Sequence, residues 1–207
     1  MNVAGWLVVV AVAALAEVAV QVLDLHGSVA APSDAFGALA DGLSDGSLSG
    51  EIATTLEDYA QGLAIAIVVG VGLGVLIGSS RTLLAASAVV IEFVRPIPAV
   101  ALIPVAFLFF DLGTPLIRFV IAYAAVWPIL INTLYGVRGA DRLLLDVART
   151  SGLGRGARLA RVTVPAALPS IATGIRVSAP IALVVGVTAE YLMLTGGIGS
   201  YMQQQQN

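Results

Sequence analysis

Asp146-Val147-Ala148-Arg149-Thr150-Ser151-Gly152, running on through Leu153 to Arg161 and closing with Val162-Thr163-Val164-Pro165, is the one long polar interruption between two strongly apolar blocks in the second half of the chain. Six of the ten basic residues, all of them arginines, fall between Arg138 and Arg161. Loops on the cytoplasmic side of a membrane carry such a basic excess. The stretch therefore reads as a cytoplasmic loop, residues 138–162, and the apolar blocks beside it as membrane crossings.

Composition supports that reading. Of 207 residues 58% are hydrophobic and 11% charged, with a mean hydropathy of +0.98, whereas a soluble domain carries about 25% charged residues. The net charge of −3 matters less than its segregation. Acids crowd Asp24 to Asp58 and arginines crowd Arg138 to Arg161, so the two signs mark opposite sides. With no Cys and a single His, His26, a disulfide framework, a zinc cluster and a Cys-His nucleophile are excluded by counting. The chain also has no Lys. A phosphate-binding loop of the G-x-x-x-x-G-K-[ST] kind needs that Lys to reach the terminal phosphates. Any ATP chemistry must then come from a partner, and no catalytic residue, metal or cofactor is expected in this chain.

Taken in order, residues 4–23 form an apolar run of the length that crosses a ~30 Å hydrocarbon core. A signal peptide is the rival reading, but the start lacks a basic segment and the run is longer than the usual apolar region of a signal. Glu17 within it is read as lying at the outer headgroups or in a helix contact in preference to a transport path. Residues 24–60 are rich in Gly, Ser and acid and lack Lys and Arg, which places them outside the cell. Pro32-Ser33-Asp34 is a helix start, with Ser33 or Asp34 as cap. Residues 52–61 read as a short amphipathic helix leading to a second crossing over 62–78, where Gly70, Gly74 and Gly78 share one face and allow close helix approach. Ser79-Ser80-Arg81 is the inner turn.

The third crossing, 82–110, contains Pro96, Pro98 and Pro104 and must bend or break. Glu92 and Arg95, three apart, are placed to pair before the break. The fourth crossing covers 116–137, with Pro128 as a kink and Arg118 snorkelling to the outer headgroups. A helix over 141–151 follows, with Leu144, Ala148 and Ser151 on one face and Gly152 as its stop. Arg155, Arg158 and Arg161 make a basic stripe suited to anionic headgroups or to acids on a partner. The fifth crossing, 164–194, is bent by Pro165, Pro169 and Pro180 and carries Arg176 and Glu190, for which interhelical pairing is preferred over a pathway role.

The register of the opening stretch, an acid, a small pair ending in Ala148, three residues, Gly152, nine residues, then Val162, one residue and Val164-Pro165, resembles the EAA motif of ATP-binding-cassette importer permeases. Asp146 stands for Glu, Val147 for the first Ala, and Val162 and Val164 for Ile and Leu. Arg95-Pro96-Ile97-Pro98 with Pro104 resembles a segment of the nitrate/sulfonate/taurine branch of that family. The resemblance implies an all-α membrane protein, a polytopic bundle of about five transmembrane helices that lacks the family's last helix, in a single domain over 1–207.

By the same resemblance, Asp146, Val147, Ala148, Gly152, Val162 and Pro165 couple to a cytoplasmic ATPase, and Arg95, Arg176 and Glu190 are candidates for the translocation pathway. The implied partners are ABC ATPase subunits, a second permease copy, an extracytoplasmic solute-binding protein and the bilayer, with no nucleic acid. A stand-alone secondary transporter or channel is the alternative, and it would need no small-residue cytoplasmic helix at this spacing. An intramembrane enzyme is disfavoured, since no H-E-x-x-H and no Ser-Lys pair exist. The transported solute is not legible.

Overall fold

The computed structural model describes residues 3–22 and 31–205, so the readings placed on Asp24 and His26 fall outside the described residues. All regular structure among the described residues is helical. In chain order the elements are α1 (Val3–Val22), α2 (Pro32–Ser44), α3 (Ser47–Gly78), α4 (Arg81–Val94), a 3-10 turn (Ala99–Leu102), α5 (Ile103–Ala106), α6 (Thr114–Arg138), α7 (Arg142–Thr150), α8 (Arg155–Arg158), a π turn (Leu159–Thr163), α9 (Val164–Met193) and α10 (Ile198–Gln204). The chain divides into two compact units, Met1–Glu51 and Ile52–Asn207.

In the first unit, Pro32 opens α2 as expected, but no side chain caps it. Ser33 instead donates its N–H (3.0 Å) and its hydroxyl (2.7 Å) to the Glu17 carboxylate. Glu17 thus makes a helix contact, one of the two roles its sequence position left open.

The second unit is built on α6. Ile117, Val120, Ile121, Ala125 and Ile129 are buried along its length, because α3 and α9 pack on different sides of it. Against α3 the register is constant: Gly62, Gly70, Gly74 and Gly78 face Ile121, Ile129, Thr133 and Val137, and a Cβ on Gly74 would lie 2.6 Å from Cβ of Thr133. Ala66 and Ala125, both wholly buried, continue the same row. Small residues every four positions let the backbones approach where lipid supplies no hydrophobic drive.

The stripe runs further than the sequence suggested. Residues 52–61 are not a separate helix but continue into the crossing as one helix, Ser47–Gly78, because the one candidate break, Gly62, is covered by Ile121. Against α9 the glycines alternate between partners. Gly136 of α6 meets Ala167 and Ser170, Gly174 of α9 meets Asn132 and Ile129, and the Ser178 hydroxyl donates to the Ala125 carbonyl at 2.7 Å.

Three helices are long and apolar enough to cross a bilayer, Ser47–Gly78, Thr114–Arg138 and Arg155–Met193. The pair Arg81–Val94 and Ala99–Ala106, bent by 89°, makes a fourth if counted as one span, and α1 holds the shorter apolar stretch Val10–Val20. The break falls where Arg95-Pro96-Ile97-Pro98 placed it. Two prolines in three residues remove two donors, and each disfavours α geometry in the residue before it. The Val94 carbonyl, four residues before Pro98, accepts from the Ile97 N–H at 3.2 Å and from the Tyr123 hydroxyl of α6 at 2.7 Å. Single prolines do less: Pro128, Pro169 and Pro180 lie inside unbroken helices.

Candidate functional site

The loop singled out by its arginines folds as expected at both ends. Asp141 caps α7, its carboxylate accepting from the Leu143 N–H at 2.9 Å. At the other end Gly152 takes φ +76°. Its N–H donates to the Arg149 carbonyl and the Leu153 N–H donates to the Ala148 carbonyl. This pair of bonds satisfies the last carbonyls of a helix and requires a left-handed residue after it. A nine-residue helix, marginal on its own, is thereby bounded sharply.

The face that α7 turns inward differs from the expected one. Ala148 is 4% exposed and Leu145 half-buried, while Leu144 and Ser151, expected beside Ala148, are exposed. The small size of Ala148 is therefore used against the chain's own fold. Leu143, Leu144 and Val147 make the exposed apolar side. Asp146 and Arg149 pair with each other at 3.2 Å, both largely exposed. Val162 is half-buried in the π turn and Pro165 is exposed in the first turn of α9. Of the basic stripe, Arg155 and Arg161 are exposed, and Arg158 turns partly inward.

The three pathway candidates are not brought together. Glu190 is wholly buried; its carboxylate accepts from the Thr55 hydroxyl of α3 (2.9 Å) and from the Gly199 N–H (3.1 Å). The Ile198 N–H donates to the Thr55 hydroxyl oxygen at 2.8 Å, and the Ser200 hydroxyl donates to the Glu190 carbonyl at 2.9 Å. This is a clasp joining α3, α9 and α10. It needs Gly197 and Gly199, because a Cβ at either would overlap the Glu190 side chain or the α9 backbone.

The side chains of Arg95 and Arg176 are exposed and make no hydrogen bond or ion pair among the described residues, so the expected Glu92–Arg95 pair does not form. Arg95 lines an open pocket of about 410 Å3 with Trp127, Asn132 and Val177, among others. Arg118, expected to snorkel, is held by α3: it donates to Asp58 at 2.7 Å and to Glu57 at 3.2 Å. Asp58 is buried there.

Thr55 and Asp58 were missed as partners, although a signal existed. They precede Gly62 by seven and four residues and so extend the Gly62–Gly78 row toward the outer end of α3. Tyr123 carried no such signal, because its role depends on where the α4 break lies in space.

The site thus belongs to a polytopic helical bundle with a capped amphipathic helix between its last two long spans, the architecture of an integral membrane protein. Residues 66–207 match the family described as binding-protein-dependent transport system inner membrane component. The chain belongs to this family of transport-system inner membrane components, which places it in the cell membrane as a multi-pass protein. It is similar to a putative ABC transporter permease of Methanocaldococcus jannaschii, 39% identical over 72% of this chain and 56% of the relative. It is likewise similar to a bicarbonate transport system permease of Synechococcus elongatus, 38% identical over 67% of the chain and 50% of the relative. A nitrate import permease of Leptolyngbya laminosa is 36% identical over 75% of the chain and 55% of its own length. The chain thus spans about half the length of the curated relatives it matches.

Proposed function

We propose that the chain is the membrane subunit of an ATP-binding-cassette importer, assembling with a second permease copy, cytoplasmic ATPase subunits and an extracytoplasmic solute-binding protein. The observation that carries this reading is α7, a short, sharply bounded helix whose Leu143, Leu144 and Val147 stand exposed between a side-chain cap and a glycine stop. Three apolar residues on a polar loop gain by burial in a partner's groove, ~1.5–3 kcal/mol for each one fully buried. Asp146, Val147, Ala148, Gly152, Val162 and Pro165 act in this reading through different means. Val147 contacts the ATPase directly. Ala148 and Gly152 fix the attitude of the helix, and Val162 and Pro165 tie it to α9. ATP binding and hydrolysis belong to the partner, since a chain without Lys cannot form the phosphate loop.

Arg95 and Arg176 serve the pathway in this reading, and Glu190 serves the scaffold. A cation near the middle of a span costs a few kcal/mol in lipid, and neither arginine has a partner within the described residues. Water or a passing anion meets that need, which fits relatives named for bicarbonate and nitrate. The test is assembly and turnover. Val147→Asp and Leu143→Asp leave the permease folded but abolish copurification of the ATPase and solute-stimulated ATP hydrolysis. Full retention in both variants rejects the reading.

A further inference from the structure

On the inward side of α7, facing away from Leu143, Leu144 and Val147, two adjoining pockets share Leu145 and Arg149. One, of about 420 Å3, is lined by Arg81, Arg142, Leu145, Asp146 and Arg149. The other, of about 250 Å3, adds Gly78, Val137, Arg158 and Leu159 among its walls. Together they form one cleft between α7 and the turn joining α3 to α4. Its only acid, Asp146, is already paired with Arg149. The side chains of Arg81 and Arg142 make no ion pair among the described residues, and Arg158 Nε is buried without an acceptor. The cleft is thus a positive mouth over a floor of Val137, Leu145 and Leu159, with Ser79 and Thr163 beside them.

We propose that this cleft binds the headgroup of an anionic phospholipid of the inner leaflet, with the phosphate at Arg81 and Arg142 and the glycerol end over Leu145. Its depth suits that ligand. Ser79 and Ser80 join two helices of the bundle, one of span length, so Arg81 stands at the membrane surface, where basic pockets between helices take anionic headgroups. An ATPase is a poorer occupant, because the face of α7 offered to it is the opposite one. Free phosphate would leave the apolar side chains of that floor unused. Lipid composition would then set the attitude of the coupling helix.

The proposal rests on residues 138–162 being cytoplasmic, as in the proposed function, but not on ATPase docking. It is tested on the purified full chain in detergent, without ATPase, by titrating phosphatidylglycerol and phosphatidylcholine in turn. Preferential binding of phosphatidylglycerol is expected, falling about fivefold in each of Arg81→Gln and Arg142→Gln. Arg155→Gln, outside the cleft, and Val147→Asp, on the ATPase face, leave it unchanged. Equal affinity for the two lipids, or an equal loss in Arg155→Gln, overturns the proposal as unspecific surface charge. Displacement of phosphatidylglycerol by inorganic phosphate but not by chloride of the same ionic strength assigns the cleft to free phosphate and overturns it too. Lipid binding that survives in Val147→Asp while the ATPase is lost separates this site from the coupling face.

Discussion

Gly152 combines φ +76° with no heavy atom within 4 Å of where a Cβ would lie, so the whole effect of a substitution there is backbone strain. Gly152→Val is expected to cost about 1–2 kcal/mol, to fray α7 and to weaken ATPase retention. Gly152→Asn, which tolerates the left-handed region, is expected to keep most of it; thermal unfolding and copurification read both. Asp146→Asn removes an exposed pair worth about 0–1 kcal/mol and should be mild by the same measures. Glu190 is the opposite case. Its truncation to Ala strands the buried Gly199 N–H and the Thr55 hydroxyl, at about 1–3 kcal/mol for each stranded group. Glu190→Gln keeps an acceptor oxygen at the same reach and should unfold at a temperature between those of wild type and Glu190→Ala. Equal melting of all three would deny the clasp a structural role.

At the scale of elements, α3 carries its own control. Gly74 faces Thr133 and the Leu130 carbonyl, 2.6 and 2.9 Å from a Cβ, whereas Gly72, two residues away, has nothing within 4 Å. Gly74→Ala must push α3 off α6 and is expected to cost roughly 1–3 kcal/mol. Gly72→Ala should be neutral or slightly stabilising, since Ala is the better helix former. A detergent melt of the two variants compares them directly, and equal melting temperatures would remove the glycine row as a packing device. The α4 break has a similar dependence: Tyr123→Phe withdraws one of the two donors to the Val94 carbonyl, leaving the Ile97 N–H, without changing ring packing.

For the whole molecule the sharpest expectation is sidedness. α3 and α6 run in the same direction, both starting at the end that holds Asp58 and Arg118 and both ending at Gly78 and Val137. Acids gather at the first end and arginines at the second. The chain has no Cys, so single cysteines report cleanly. Asp45→Cys should react with an impermeant thiol reagent in intact cells and Arg149→Cys only after the membrane is opened. The reverse pattern would invert the topology and with it the coupling face, the lipid cleft and the order of solute passage. Uptake measured in the assembled complex should fall at least tenfold in Arg95→Ala and Arg176→Ala if the two cations meet a passing anion, with about 1.4 kcal/mol lost per factor of ten. Unchanged uptake in both would move the pathway elsewhere.

The sequence by itself determined what depends on a residue and its near neighbours. Hydropathy required membrane helices. The prolines called for a break in the third crossing and Gly152 for the end of α7, and the segregated charges set the expectation of sidedness. Each follows from transfer free energy or local sterics, which act within a few positions. Only the tertiary structure decided which way faces point: Ala148 inward, Leu144 outward, Arg118 onto Asp58, and Glu190 onto Thr55 across 135 residues. On α7 apolar residues stand on both sides, Leu143, Leu144 and Val147 on one and Leu145 and Ala148 on the other, so the pattern does not choose between them; α6 and α9 are apolar all round, and such a helix has no strong amphipathic pattern to announce its buried side. In such a helix the buried side is set by where the other helices stand, and here the glycine row of α3 set where α6 could lie.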